Sequence, residues 1–177
     1  KSFQIISSAT TIFFMNEKSP ISILFVCLGN ICRSPMAEAV MSKLTEQSGL
    51  RDKIYIDSAG TSGYHQGELA DSRMRHFGQI RGYQLLSRAR QLEASDFEKF
   101  DYILGMDDSN ITNILLLDHK DKFKNKIFKM TDFCSTSQAD FVPDPYYGGT
   151  GGFENVIDIL EDSCASLLDK IKQEHKI

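Results

Sequence analysis

Two residue types that are suited to phosphate chemistry lie close together in the segment VCLGNICRSPMAE, residues 26–38. Cys27 and Arg33 have five residues between them, so a loop that curls around one anion can set a thiol beneath it and a guanidinium beside it. An arginine binds two phosphate oxygens and leaves the phosphorus open to attack by a thiolate. The spacing predicts a phosphate-binding loop in which Cys27 is the nucleophile.

The residues on either side predict that this loop joins a strand to a helix. The apolar run 21–26 is typical of a strand that is buried on both faces of a parallel sheet. Apolar residues then recur at helical spacing at Met36, Ala37, Val40, Met41 and Leu44. Ser34 is available as a helix cap, and Pro35 suits the first turn. At such a junction the loop N–H groups and the helix N-terminus favour an anion, and with Arg33 they are expected to lower the pKa of Cys27.

Smaller residues in the segment favour the same interpretation. Gly29 permits a close approach of the backbone to an anion, Asn30 tolerates a left-handed conformation, and Ser34 can donate its hydroxyl to a thiolate. A cysteine followed by an arginine at this spacing is a weak signal by itself, and the alternative is a structural turn. The position between a buried strand and a helix favours phosphate binding.

The segment resembles the active-site loop of the low-molecular-weight protein tyrosine phosphatases. The resemblance continues, in order and with its spacing, through the motifs IDSAGT, ARQ, DF, FDYIL, MD, SN and DPYYGG, which begin at residues 56, 89, 96, 100, 106, 109 and 144. It covers about residues 20–175. It implies hydrolysis of phosphotyrosine in proteins, and of aryl phosphates, through a phosphocysteine intermediate, without a metal or a cofactor.

Asp144 is the candidate for the general acid that the leaving group of a phosphate ester needs. Pro143 and Pro145 restrict its backbone, as suits a group that must deliver a proton on target. From the residues alone, PDPYYGG is better explained as a turn. The resemblance implies that Asp144 protonates the leaving group, with a pKa raised by the nearby phosphate and thiolate.

The resemblance also implies which residues surround the substrate. The phosphate would be bound by the loop residues Leu28, Gly29, Asn30, Ile31, Cys32 and Ser34. Tyr146 and Tyr147 would form one aromatic wall of the cleft and Tyr64 the opposite wall. A deep slot of this kind reaches phosphotyrosine more easily than phosphoserine. Phosphate and vanadate are the expected small ligands.

Two further residues are implied to support the loop. Ser58 corresponds to a residue that, together with Asn30, shapes the phosphate cradle by hydrogen bonds. Ser87 stands two residues before the ARQ motif, where members of the family often have a histidine. A serine can still bond the loop, but it supplies no charge.

Three alternative functions stay open. An arsenate reductase needs a downstream cysteine pair, and Cys134 and Cys164 are too far apart in the sequence to look suited. A protein-arginine phosphatase tends to have threonine where this chain has Ile31, whose hydrocarbon favours an aryl ring. A phosphocysteine carrier or a phosphopeptide-binding module without turnover has no use for a proton donor such as Asp144.

Length and composition are those of a single domain with a sizeable core, since the chain has 177 residues. Its 20 lysines and arginines and 24 acidic residues leave no basic stripe for nucleic acid. No apolar run reaches the ~18 residues that a membrane span needs. The four cysteines fit neither zinc-ligand pairs nor a disulfide framework, which favours a reducing, cytoplasmic setting.

Apolar runs that alternate with helical patterns predict the fold. Strands are predicted at 21–27, 53–57, 100–105 and 126–130, and helices near 35–48, 68–81, 107–118 and 153–174. The alternation predicts an α/β fold, an open four-stranded parallel sheet with helices on both faces in a flavodoxin-like three-layer arrangement. The phosphatase-like domain is predicted at 21–177, after an N-terminal extension at 1–20.

The extension and the other cysteines lie outside the motifs. The segment 1–20 lacks an initiator methionine and holds a plausible start at Met15, so we interpret it as an addition from cloning or gene prediction, with a targeting peptide as the alternative. Cys164 lies on an apolar helical face and is expected in the core. Cys32 shares a short loop with Cys27, which predicts reversible inactivation by peroxide through a disulfide between them.

Overall fold

The computed structural model describes residues 19–147 and 149–177, so the predicted extension at 1–20 lies almost wholly outside the described residues. In the described chain four strands form one parallel sheet, in the order β2-β1-β3-β4. These strands are β1 (Ile21–Cys27), β2 (Ile54–Gly60), β3 (Tyr102–Gly105) and β4 (Ile127–Lys129). The predicted open parallel sheet is confirmed. The bounds of β1 are as predicted, and the other three strands start or end up to three residues from their predicted bounds.

The helices of the described chain alternate with the strands as predicted. They are α1 (Arg33–Gln47), α2 (Ser72–Ile80), α3 (Asp96–Lys99), α4 (Asp108–Leu117) and α5 (Gly149–His175). The helix predicted from residue 68 begins only at Ser72, because the Asp71 side chain accepts a hydrogen bond from the N–H of Arg73 and caps it. The single turn α3 was not predicted, since four residues are too few to show a helical period.

Residues of β1 alternate between two cores, one on each face of the sheet. Ile23 and Phe25 pack with apolar residues of α1 and α5 in the larger core. Leu24 and Val26 point to the other face and pack with residues of α3 and α4. A strand with both faces buried shows no polar alternation, which explains the continuous apolar run in the sequence. The predicted arrangement of helices on both faces is confirmed.

Strand register brings the carboxyl ends of three strands to the same edge. Cys27 at the end of β1 pairs with Gly60 at the end of β2. On the other side, Val26 pairs with Gly105 at the end of β3. The segments that follow these strands therefore meet in space. No helix in the described part of the chain is long and apolar enough to cross a membrane.

Candidate active site

The loop between β1 and α1 is held by backbone hydrogen bonds from two other segments of the chain. The carbonyls of Cys27 and Leu28 accept from Thr61 and Ser62, which follow β2, at 2.8 and 2.9 Å. The Ile31 carbonyl accepts from the N–H of Asp71 at 2.7 Å. Asn30 adopts a φ of 55°, which is the left-handed conformation expected for it. The loop is thus a fixed, tightly curled structure.

The backbone N–H groups of this loop are available to bind a ligand. Within the described chain, none of the backbone N–H groups of residues 28–32 donates to a protein acceptor. Unpaired N–H groups next to a helix N-terminus favour an anion, because they offer hydrogen bonds and a partial positive charge together. Since Arg33 begins α1, the N-terminus of that helix adjoins the loop. The arrangement is suited to phosphate.

Hydrogen bonds behind the loop lead to the Cys27 sulfur. Asn30 Nδ2 donates to Ser34 Oγ at 2.9 Å and to Ser58 Oγ at 2.8 Å. Ser34 Oγ, which already accepts from Asn30, lies 3.1 Å from Cys27 Sγ and can donate its proton to a thiolate there. Ser34 does not cap α1 as predicted; the cap position is Cys32, and the hydroxyl of Ser34 points to the sulfur instead.

Glu38 continues this network, and the sequence analysis had missed it. Ser58 Oγ donates to Glu38 Oε2 at 2.6 Å, which leaves the oxygen of Ser58 to accept from Asn30. Burial raises the pKa of Glu38, although hydrogen bonds from Ser58 and Ser87 act in the opposite direction. Ser87 therefore bonds Glu38 and supports the loop through this carboxylate. Glu38 lies one turn after Ser34 in α1, and this spacing could have indicated that it lies on the same side of the helix as the loop network.

Arg33 is buried and its guanidinium faces two carboxylates. Its Nη1 donates to Asp107 Oδ2 at 2.5 Å and its Nη2 to Asp144 Oδ2 at 2.8 Å. Burial disfavours the guanidinium charge, but the Cys27 sulfur and both carboxylates outweigh this and raise the pKa of Arg33. Asp107 belongs to the MD motif, but no function was predicted for its side chain. Its position just after β3 could have indicated a place in the site, because the carboxyl ends of parallel strands meet at one edge of the sheet.

Most of the predicted site residues border a common cavity of about 270 Å³. From the loop, the lining residues are Cys27, Leu28, Gly29, Ile31, Cys32 and Arg33. Asp144 and Tyr146 line one side and Tyr64 another. Asn30 and Ser34, which were predicted to bind phosphate, do not line the cavity but form hydrogen bonds behind the loop. The predicted supports Ser58 and Ser87 do not line it either. The structure thus brings the thiol, the guanidinium and the carboxylate of the predicted chemistry together.

Three aromatic residues were predicted as walls. Tyr64 is 91% exposed and Tyr146 is 47% exposed, so both rings border the cavity from solvent. The side chain of Tyr147 lies outside the described part of the structure. Ser62 and His65 also line the cavity and were missed by the sequence analysis. They follow β2, and only the register that places β2 beside β1 brings them there.

The other cysteines differ in setting. Burial, reinforced by Asp71 and Cys27, raises the pKa of the Cys32 thiol well above its ordinary value. Cys164 is fully buried in α5, as predicted, and its sulfur lies 3.8 Å from the Ala37 carbonyl. Cys134 is half-buried, and all four cysteines are free. In the described chain no cluster of three or more His, Cys, Asp or Glu side chains is arranged to hold a metal ion.

A doubly wound sheet with a thiol and an oxyanion cradle at its carboxyl edge is the architecture of a class of cysteine-dependent enzymes that act on phosphate esters. The model of the low molecular weight phosphotyrosine protein phosphatase family matches residues 22–177, and the chain belongs to this family. The resemblance seen in the motifs is therefore confirmed.

Relatives agree over most of the chain. A protein tyrosine phosphatase of Entamoeba histolytica, solved with Hepes in its active site, is 54% identical, with a TM-score of 0.83 over 89% of this chain and 99% of its own. The low molecular weight protein-tyrosine-phosphatase YfkJ of Bacillus subtilis is 41% identical over 89% of this chain and 99% of its length. A Drosophila arginine phosphatase is 32% identical, with a TM-score of 0.79 over 85% of this chain and 97% of its own.

Proposed function

We propose that this phosphatase hydrolyses phosphotyrosine in proteins, and aryl phosphates, through a phosphocysteine intermediate. The observation that carries the proposal is the meeting of Cys27, Arg33 and Asp144 at one cavity, beside a loop whose N–H groups have no acceptor among the described residues. Two distant parts of the chain contribute these groups, the segment 27–33 and the segment that holds Asp144. Together they supply a nucleophile, a cradle for phosphate oxygens and a proton donor.

In the first step the Cys27 thiolate attacks phosphorus while the bond from phosphorus to the tyrosine oxygen breaks. Arg33 and the loop N–H groups stabilise the negative charge on the other three oxygens. Asp144 gives its proton to the departing tyrosine oxygen. Ser34, 3.1 Å from the sulfur, stabilises the thiolate before the attack. The products of this step are the substrate protein with an unphosphorylated tyrosine side chain, and the phosphocysteine.

In the second step a water molecule attacks the phosphocysteine. Asp144, now ionised, takes a proton from this water and returns to its acid form. The bond from phosphorus to sulfur breaks, phosphate leaves, and Cys27 is again a thiolate. Because Arg33 and backbone donors carry the charge of the transferring group, neither step needs a metal ion or a cofactor.

The residues around the cavity favour an aryl ester over the alternatives. Ile31 presents hydrocarbon to the cavity, where a phosphoarginine guanidinium needs polar partners. Tyr64 and Tyr146 are suited to contact a phenyl ring. An arsenate reductase is disfavoured because Cys164 is fully buried and cannot pass on a disulfide. Asp144 disfavours a binding module, since binding needs no proton donor.

We infer a phosphotyrosine-containing protein or peptide as the partner and a reducing, cytoplasmic setting. All four cysteines are free, and the buried thiols of Cys32 and Cys164 are held by packing rather than by disulfides. A nucleophilic thiol is kept active only where it stays reduced.

Replacement of the nucleophile tests the proposal. Cys27→Ser is expected to abolish turnover of a phosphotyrosine peptide but to bind inorganic phosphate or vanadate, because the cradle is built from Arg33 and backbone donors. Turnover and phosphate binding are measured on both proteins, with Cys134→Ser as the matched control that keeps activity. Hydrolysis that survives in Cys27→Ser contradicts the mechanism. Faster turnover of a phosphoarginine peptide by the wild type contradicts the proposed substrate.

A further inference from the structure

The first turn of α2 lies between the phosphate loop and the segment that carries Asp144. The N–H of Asp71, the cap of α2, donates to the Ile31 carbonyl of the loop at 2.7 Å. The carboxylate of Asp71 accepts from the N–H of Arg73 at 2.8 Å. The start of α2 is thus attached to the loop by its backbone and stabilised by its own cap.

Asp71 also fixes the guanidinium of Arg73. Nε donates to Oδ1 at 3.0 Å and Nη2 donates to Oδ2 at 2.8 Å, so the two groups form a bidentate pair. The bond from Arg73 is the main reason that the pKa of Asp71 lies below its ordinary value, which keeps the carboxylate charged. A bidentate pair sets the plane of a guanidinium as well as its distance.

Two aromatic rings contact this guanidinium. Its Cζ atom lies 5.0 Å from the ring centroid of Tyr146 and 5.1 Å from that of Phe153. Phe153 belongs to the core and stacks on Phe77 at 5.6 Å. Tyr146, in contrast, is half-exposed and lines the cavity. Arg73 therefore joins an exposed ring at the site to a ring anchored in the core.

The position of Tyr146 is tied to that of the proton donor. The N–H of Tyr146 donates to Asp144 Oδ1 at 3.0 Å, and the other carboxylate oxygen accepts from Arg33. A shift of the Tyr146 backbone therefore changes where Asp144 can point. Since the Tyr146 ring packs on Arg73, the guanidinium helps to fix the positions of both Tyr146 and Asp144.

We propose that Arg73 is a positioning residue of the active site, which holds Tyr146 as a wall for the aryl group and through it orients Asp144. The proposal rests on the proposed function, because only an aryl phosphate substrate would contact the ring of Tyr146. A direct contact between Arg73 and an acidic substrate residue is the weaker interpretation, because Asp71 already occupies the Nε and Nη2 donors.

The test compares an aryl phosphonate, which binds without turnover, with inorganic phosphate, which needs the loop alone. Arg73→Met keeps a long side chain but removes the charge and both bonds to Asp71. We expect its dissociation constant for phenylphosphonate to rise about 3- to 10-fold, the worth of a partly exposed cation–π contact. Its dissociation constant for phosphate is expected to stay within about 2-fold of the wild-type value. Retained phosphate affinity also shows that the variant is folded.

Matched variants separate positioning from other roles. Arg75→Met, on the same helix, removes a guanidinium whose Nε bonds the Ala70 carbonyl, and it is expected to bind both ligands as the wild type does. Arg73→Lys retains a cation over the ring and is expected to be intermediate. In Tyr146→Leu, the further change Arg73→Met is expected to add little, because both act through the same ring.

Each opposite result overturns the proposal. Unchanged phenylphosphonate binding in Arg73→Met shows that the wall does not depend on this residue. Fully additive losses with Tyr146→Leu show that Arg73 acts elsewhere. A loss confined to phosphopeptides with acidic neighbours assigns Arg73 to substrate contact. If the wild type binds phenylphosphonate but does not turn over phosphotyrosine, the proposed function fails while the positioning role stands.

Discussion

The guanidinium of Arg33 is held in place by acceptors of the protein itself. Its side chain is only 3% exposed, and it is bonded to Asp107, Asp144 and the Val142 carbonyl. A buried guanidinium costs free energy unless carboxylates compensate its charge. The two carboxylates supply that compensation and fix the direction of the fork. Arg33 is thus preorganised for phosphate oxygens, which limits the ordering cost on binding.

Asp144→Asn tests the proton donor, because the amide keeps the shape of the side chain and has no proton to give. We expect kcat for phosphotyrosine to fall by about 10²- to 10⁴-fold, the usual worth of general acid catalysis. The loss is expected to shrink for nitrophenyl phosphate, whose leaving group needs no proton. Steady-state kinetics with both substrates checks this, with the exposed Asp108→Asn at the start of α4 as control. Equal losses across leaving groups would make Asp144 structural.

Cys32 is predicted to protect Cys27 from irreversible oxidation. Peroxide oxidises the Cys27 thiolate to a sulfenic acid; the Cys32 thiol then attacks that sulfur, a disulfide forms and water leaves. Burial raises the pKa of Cys32, so only a small fraction of this side chain is present as thiolate. Formation of the disulfide is therefore expected to be slower than oxidation of Cys27.

Cys32→Ser is expected to keep activity but to lose most of the recovery after peroxide, because no disulfide can trap the sulfenic acid. Both proteins are treated with peroxide and then dithiothreitol, and regained activity is compared with the disulfide mapped by peptide mass. Cys134→Ser serves as the control for loss of a thiol. Equal recovery, with no linked peptide in the wild type, leaves Cys32 as a packing residue.

At the scale of elements, β2 supports the phosphate loop through its backbone as well as through Ser58. A Cβ added at Gly60 would lie 2.8 Å from the Leu28 and Ser62 carbonyl oxygens and 3.1 Å from the Asn30 nitrogen. Backbone cannot move aside as a flexible side chain can. The glycine is therefore needed at the end of β2 so that the strand and the loop can approach each other.

Helix α5 is joined to the segment 135–137 by one carboxylate. Asp162 accepts hydrogen bonds from the N–H groups of Ser135, Thr136 and Ser137 and from the Ser135 hydroxyl, at 2.7 to 3.2 Å. Burial alone raises the pKa of Asp162, but these donors outweigh it and hold the pKa well below its ordinary value. The ionised carboxylate thus stabilises the folded state.

Asp162→Asn is expected to lower the free energy of unfolding at pH 7 by about 1–2 kcal/mol, since bonds to a charged acceptor are lost. A folded-state pKa below the unfolded value gives stability that is present above about pH 4 and is lost as the pH falls. The difference between variant and wild type is therefore expected to shrink towards pH 2. Urea denaturation at both pH values measures it, with the exposed Asp169→Asn as control. A pH-independent difference would contradict this assignment.

At the scale of the whole molecule, the site lies where the chain changes direction across the sheet. From β1 the chain passes to β2 on one side and later to β3 on the other. The segments that leave these strands diverge there and form a crevice at their carboxyl ends. The loop after β1, the residues after β2 and Asp107 after β3 all meet in it. The topology therefore accounts for the position of the site.

The sequence determined the local features of this protein. The apolar run of β1, the helical spacing after it, the left-handed Asn30 and the separation of Cys27 from Arg33 all depend on neighbouring residues, so each is visible as a pattern. The motifs shared with the family indicated the family and the role of Asp144, because a resemblance compares several motifs and their spacing together. The boundaries of helices were less certain, since caps such as Asp71 act through single side chains.

Only the tertiary structure decided the contacts between distant segments. Arg33 meets Asp107 across 74 residues and Asp144 across 111, and Glu38 reaches the loop only through Ser58. Arg73 likewise meets the ring of Tyr146 from another helix. Side chains far apart in sequence make contact according to strand order and helix packing, and no local pattern encodes these. The sequence therefore indicated which groups do the chemistry, and the fold decided which residues hold them in place.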